Sequence, residues 1–170
     1  MSTYAYIIPA ILVFLTSIIV TALFFRNEDK KRQQEIRMKN SEQVLPLRLQ
    51  AYERLVLLLE RISLENLLIR IQHPGMSVKQ LQVELLSSIR QEFDHNIAQQ
   101  VYVSSELWTK ITEAKEFLVK EINTTVIELK PDSPAMELSK ALLGGLHVTN
   151  DVKSTKYAIE LIKKELRLLF

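Results

Sequence analysis

The chain has 170 residues, no Cys, 3 Gly and a formal net charge of +2 at pH 7. Such a small charge gives no reason to expect nucleic acid as a partner, and the missing Cys excludes disulfides and Cys-based zinc sites. The scarcity of Gly disfavours a strand-and-turn architecture and a Gly-rich phosphate loop, and no motif indicates a cofactor or a small-molecule substrate.

An uncharged apolar stretch, residues 4–25, stands near the beginning of the chain. As a helix it would be roughly 33 Å long, which matches a hydrocarbon core about 30 Å thick. A secretory signal peptide fits poorly, because no basic residue precedes the stretch and the bulky pair Phe24-Phe25 ends it. We therefore expect one transmembrane helix over residues 4–25.

The flanks of this stretch predict its orientation. Six basic residues follow it and none precedes it: Arg26, Lys30, Lys31, Arg32, Arg37 and Lys39. Basic residues collect on the cytoplasmic side of a span. Residues 1–3 should thus lie outside, and the rest of the chain should lie in the cytoplasm at the inner (cytoplasmic) membrane.

Residues 26–43 are almost without apolar side chains, and acid–base pairs four residues apart favour a solvated helical spacer. Lys30, Lys31 and Arg32 are candidate contacts to an anionic membrane surface, although interspersed acidic residues weaken that interpretation.

Apolar residues at steps of three and four predict helices from residue 44 onward. The first covers 44–62, and Ser63 should cap a short helix that ends before the turn His73-Pro74-Gly75. Ser77 and Gln80 form a capping-box pattern. The long helix after it carries an apolar stripe formed by Leu81, Leu85, Ile89, Phe93, Ile97 and Val101.

Ser104-Ser105 either caps a new helix or marks a kink in one that continues. The next stripe comprises Leu107, Ile111, Ala114, Leu118, Ile122 and Val126. Residues 131–134 should form a loop, with Pro134 at the first position of a short helix that Gly144-Gly145 ends. Thr149 or Asn150 should cap the last helix.

The fold class that follows is all-α. One N-terminal transmembrane helix and a polar helical spacer precede a cytoplasmic bundle, residues 44–170, of about three long and two short helices.

Two surfaces of this bundle are candidate interaction sites. An amide-rich helix face suits a helix–helix contact with a protein partner, and it comprises Gln91, His95, Gln99, Gln100 and Tyr102. The last helix is basic around an apolar stripe, so Lys163, Lys164 and Arg167 are candidate membrane-surface contacts. A role of that helix in closing the bundle is the simpler alternative.

Glu92 and His95, three residues apart, have the spacing of one half of a di-iron bundle site. The chain has only one copy of the pair, so a metal site of this kind would need an oligomer. No nucleophile motif is present.

Three stretches resemble a family of bacterial membrane-anchored proteins: LRLQAYERLVLLLERIS (47–63), IRQEFDHNIAQQVYVSSELW (89–108) and SPAMELSKALL (133–143). The resemblance implies one N-terminal span before a helical cytoplasmic region, and the family is a domain of unknown function. Members often have Pro where this chain has Leu64, which puts the helix start there in doubt. The resemblance implies no catalytic residue.

We expect a non-enzymatic, single-pass membrane adaptor or assembly subunit whose bundle binds a protein partner or a second copy of itself. The alternative is a metal-binding helical enzyme or sensor that uses Glu92 and His95 in an oligomer.

Overall fold

A computed structural model describes residues 44–146 and 154–168, together with Glu28 and Arg32, which are exposed. The chain divides into two units, Met1–Pro46 and Leu47–Phe170. The predicted extracytoplasmic residues 1–3, the predicted span 4–25 and most of the predicted spacer 26–43 lie outside the described residues. Within the described part, no helix is both long enough and apolar enough to cross a membrane.

The described regular structure is helical, which confirms the all-α prediction. Helix α1 comprises residues 44–62. It is followed by α2 (Leu64–Ile71), α3 (Val78–Asn96), a 3-10 helix (Ile97–Tyr102), α4 (Ser105–Ile127), α5 (Ala135–Leu146) and α6 (Thr155–Arg167). The described bundle thus has the three expected long helices, and it has three short α-helices and a 3-10 helix where about two short helices were expected.

Helices α3 and α4 pack against each other, and each also contacts α5. Helix α2 packs on α3, and α6 packs on α4. The predicted stripes form the common core, whose fully buried side chains include Leu55, Leu59, Ile62, Leu81, Leu85, Ile89, Ile111, Ile122 and Leu138. Burial of one face of each helix accounts for the spacing of three and four residues in the sequence.

The predicted stripe of the long helix is wrong beyond Phe93, because Ile97 and Val101 are exposed. The α-helix ends at Asn96 and continues as the 3-10 helix Ile97–Tyr102. A 3-10 helix has three residues per turn instead of 3.6. The tighter winding rotates the later residues away from the face that Phe93 occupies.

Serine residues define several helix starts. The capping box at Ser77 is confirmed: its Oγ accepts from Gln80 N, and the Gln80 side chain accepts from Ser77 N. Ser104 Oγ accepts from Leu107 N at 3.2 Å, so this serine caps a new helix. Ser63 precedes α2 without a side-chain cap. Its Oγ donates instead to the carbonyl of Glu60 at 2.8 Å.

The start of the last helix is corrected by the structure. Thr149 and Asn150, the predicted caps, lie outside the described residues, and Ser154 is the cap of α6. Ser154 has extended backbone angles, and its Oγ accepts from Tyr157 N at 3.1 Å. Serine satisfies an unpaired N–H at a helix start as well as threonine or asparagine does, so the sequence does not single out one cap.

The predicted end of α5 at Gly144-Gly145 is also wrong, since the helix runs to Leu146. Gly weakens a helix interior by about 1 kcal/mol but does not end it. At its other end, α5 begins at Ala135, one residue after the predicted Pro134.

Candidate functional site

Two loops of the bundle are joined by backbone hydrogen bonds. Ala135 N donates to Met76 O at 2.9 Å, Val78 N donates to Ser133 O at 2.9 Å, and Lys79 N donates to Pro131 O at 3.1 Å. The first N–H groups of a helix have no partner inside it. Here the loop before α5 supplies partners for α3, and this pairing fixes the starts of α3 and α5 side by side.

An open groove lies between α2, α5 and the turn at residues 73–76. Its volume is about 720 Å³. The apolar side chains that line it include Leu68, Ile69, Met76, Met136 and Leu143. Ile69 is 84% exposed and Met136 is 52% exposed. We call this feature the α2–α5 groove.

A polar pair lies in the wall of the groove. The buried hydroxyl of Ser139 donates to Gln72 Oε1 at 2.6 Å, and Ala135 O is within 3.2 Å of the same hydroxyl. The Ser139 hydroxyl and the Gln72 side chain thus have hydrogen-bond partners within the protein. The exposed surface of the groove is therefore mainly apolar, with Glu65 and Lys140 among its charged lining residues.

A second arrangement, which we call the polar cluster, joins Arg48, Tyr52, Ser104 and Glu165. Tyr52 OH donates to Glu165 Oε1 at 2.7 Å, and Arg48 Nη2 donates to Tyr52 OH at 3.0 Å. Ser104 donates to Glu165 through both its backbone N and its Oγ. Helix α1, the start of α4 and the end of α6 are thereby tied together.

These hydrogen bonds stabilise the ionised form of the Glu165 carboxyl. Burial raises the pKa of Glu165, but the hydrogen bonds from Ser104 and Tyr52 and the charge of Arg48 outweigh it. The net pKa of this carboxyl lies below its ordinary value of 4.5. Burial and the bond to Glu165 raise the pKa of Tyr52 above 10.0. The cluster therefore contains an ionised Glu165 carboxylate that accepts the hydrogen bonds of Tyr52 and Ser104. Such an arrangement is structural.

The predicted amide-rich face is divided between two kinds of helix. Gln91 and His95 are exposed on α3, where His95 Nδ1 lies 3.2 Å from Gln91 O. Gln99, Gln100 and Tyr102 are on the 3-10 helix, and Tyr102 O accepts from Arg48 Nε at 3.1 Å. The role of this face in protein binding stays a prediction.

Glu92, the proposed metal ligand, contacts two arginines. Its Oε1 lies 2.8 Å from Arg61 Nη2 and 3.7 Å from Arg70 Nη1. Within the part of the chain that the structure describes, no group of three or more His, Asp or Glu side chains could hold a metal ion. Metal binding by Glu92 and His95 stays a prediction, and it would require displacement of both arginines.

Only some of the predicted membrane-surface residues are among those that the structure describes. Lys30 and Lys31 lie outside the described residues, and Arg32 is exposed. Lys163, Lys164 and Arg167 are exposed on α6, where Lys163 Nζ pairs with Glu160 Oε1 at 2.6 Å.

The fold and the groove together define the class of protein, which is a small helical bundle with an open apolar groove and a partly exposed polar cluster. The sequence over residues 1–169 matches a family described as a family of unknown function, DUF7935. The chain belongs to this family. No curated protein matches the chain, and no solved structure matches it.

Proposed function

We propose that the protein is a non-enzymatic, single-pass membrane adaptor whose helical bundle binds a protein partner, or a second copy of the chain, at the α2–α5 groove. In this proposal residues 4–25 span the inner membrane with the N-terminus outside. Residues 26–43 serve as a spacer, and the bundle lies in the cytoplasm. The uncharged stretch and the basic residues that follow it support the anchoring.

The exposed apolar rim of the groove is the observation that carries the binding role. Ile69 and Met136 lie on different helices that meet at one groove, and both are more than half exposed. Apolar side chains grouped at a concave surface are typical of a protein-binding site, whereas isolated ones are ordinary. Two methionines, Met76 and Met136, add a surface that adapts to the shape of its partner.

Helix-in-groove recognition fits this geometry. An amphipathic helix places its apolar face in such a groove and leaves its polar face in water. The acidic Glu65 and the basic Lys140 on the rim would contact that polar face.

The test is capture by the full chain in mild detergent through a C-terminal tag, with identification and quantification of what copurifies. Ile69→Asp and Met136→Asp place a charge in the groove and should reduce capture about tenfold or more, because a buried unpaired charge costs several kcal/mol. Ile127→Asp is the matched control, since Ile127 is 82% exposed at the end of α4 and is not among the groove residues.

Retention of the partner by both groove variants would contradict the proposal. A homo-oligomer that the groove variants dissociate identifies a second copy as the occupant. Carbonate extraction of membranes tests the anchoring separately, because a chain with a transmembrane helix stays in the pellet.

The metal-binding alternative remains second. No observation favours it over the adaptor, since both arginines beside Glu92 neutralise the carboxylate that a metal would need.

A further inference from the structure

Exposed aliphatic side chains accompany the polar cluster. Leu47 and Leu49 flank Arg48 in the sequence, Val101 precedes Tyr102, and Leu168 follows Glu165 by one helical turn. Val101 is 73% exposed and Leu168 is 80% exposed. Hydrogen bonds from Arg48 to Tyr102 and from Ser104 to Glu165 bring these segments together. Residues two positions apart on a helix face different sides, so Leu47 and Leu49 cannot both belong to one surface. We call the two most exposed of these side chains, Val101 and Leu168, the Leu168 patch.

The exposed charges that the last turns of α6 contribute beside this patch are positive. Lys163, Lys164 and Arg167 are exposed in the last turns of α6. Glu165, the acidic residue among them, is bound by Ser104 and Tyr52. Lys163 is paired with Glu160, whereas Lys164 and Arg167 form no ion pair among the described residues. Positive charge next to aliphatic side chains is complementary to anionic headgroups above an apolar layer.

We propose that the Leu168 patch, with Lys164 and Arg167, lies against an anionic membrane surface. The proposal rests on the membrane anchoring proposed above and adds which surface of the bundle faces the bilayer. The chain reaches the bundle at Leu47, next to Arg48 of the polar cluster, 22 residues after Phe25 at the end of the predicted span. A tether that joins the bundle beside the polar cluster holds the neighbouring patch at a high local concentration near the membrane.

A second copy of the chain or a protein partner would cover an apolar patch equally well. The neighbouring positive charges favour lipid, because two copies that meet through this surface would bring Lys164 and Arg167 of each copy close to those of the other.

The absence of Cys from the chain allows single labels to be placed cleanly. Val101→Cys, Leu168→Cys and Ile127→Cys in the full chain receive an NBD fluorophore and are reconstituted in two kinds of vesicle. One kind contains phosphatidylcholine alone, and the other contains phosphatidylcholine with phosphatidylglycerol. Ile127 is the control, since it is also exposed but lies at the far end of α4 from Ser104, about 34 Å away for 23 helical residues.

We expect iodide in the water to quench the labels at positions 101 and 168 several-fold less than the label at 127 when phosphatidylglycerol is present. In phosphatidylcholine alone, the three labels should be quenched more evenly. Lys164→Gln and Arg167→Gln should each weaken the contact about fivefold, the equivalent of about 1 kcal/mol for one basic side chain near an anionic leaflet.

Equal quenching of all three labels in both kinds of vesicle would overturn the membrane contact. Equal protection of positions 101 and 168 in both kinds would overturn it in favour of self-association. Carbonate extraction of the same vesicles separates the two proposals. A retained chain with accessible labels refutes the surface contact alone, and a released chain whose labels were protected refutes the anchoring alone.

Discussion

The polar cluster and the α2–α5 groove differ in how their side chains are paired, since the cluster is joined by hydrogen bonds and the groove exposes apolar side chains. In the cluster, Glu165 accepts from three donors on two other segments, so each of its charges and hydroxyls has a partner. In the groove, polar contacts are made inside the wall by Ser139 and Gln72. Apolar side chains there are left partly in water.

The difference separates side chains that stabilise the fold from side chains that a binding partner could cover. Hydrogen-bonded groups that satisfy one another have little to gain from a new partner, whereas exposed aliphatic surface gains free energy whenever it is covered. Among the described residues, no buried side-chain nitrogen or oxygen lacks a hydrogen-bond partner. The cluster therefore contributes to stability, whereas the exposed aliphatic side chains of the groove and of the Leu168 patch form the surfaces proposed to bind.

The largest expected effect comes from truncation of the cluster. Glu165→Ala removes the acceptor for Tyr52 OH and for both donors of Ser104, and it should lower the free energy of unfolding by about 2 to 3 kcal/mol. Urea unfolding of the full chain in mild detergent measures this change. The fluorescence of Trp108, the one Trp, serves as the signal, since this residue packs against Phe93 with ring centroids 5.4 Å apart.

Glu160→Ala is the matched control for that truncation. Glu160 is on the same helix and pairs with Lys163, but its side chain is mostly in water. Exposed pairs contribute little because water and salt screen them, so Glu160→Ala should cost clearly less stability than Glu165→Ala. Equal losses for the two alanine variants would show that the cluster adds nothing beyond a surface ion pair.

The next effect is a pH dependence that belongs to Glu165. Because its folded pKa lies below 4.5, the carboxylate stabilises the fold at and above neutral pH. This contribution should be lost as the pH falls below 4.5 and through the folded pKa. Glu165→Gln should be less stable than the wild type by about 1.5 kcal/mol at neutral pH. The gap should close in acid, and a gap that stays constant over the whole range would refute the assignment.

The sequence predicts the core of the bundle better than it predicts the polar cluster and the α2–α5 groove. Repeats such as Leu81, Leu85 and Ile89 are local, so one helix period suffices to place them in the core. The same reasoning fails at Val101, because the apolar repeat in the sequence continues where the winding changes from α to 3-10.

The polar cluster and the α2–α5 groove depend on residues that are far apart in the chain. Tyr52 and Glu165 are 113 positions apart, so no local pattern pairs them. The groove forms because the loop at residues 131–135 pairs with the loop at 76–79. Exposed Ile69 and Met136, apolar residues outside the stripes, are the signal that could have indicated it.

The smallest expected effects concern two glycines, one in the groove turn and one in α5. Gly75 has a φ of +85°, a conformation that L residues adopt at a cost, so Gly75→Ala should destabilise the fold by about 1 kcal/mol. Gly144 is helical, and an added Cβ would meet no atom within 4 Å. Gly144→Ala should therefore stabilise the fold by about 0.5 to 1 kcal/mol. The same Trp108 unfolding curves measure both, and changes of the same sign would contradict this account, because the two positions differ in backbone conformation and not in available space.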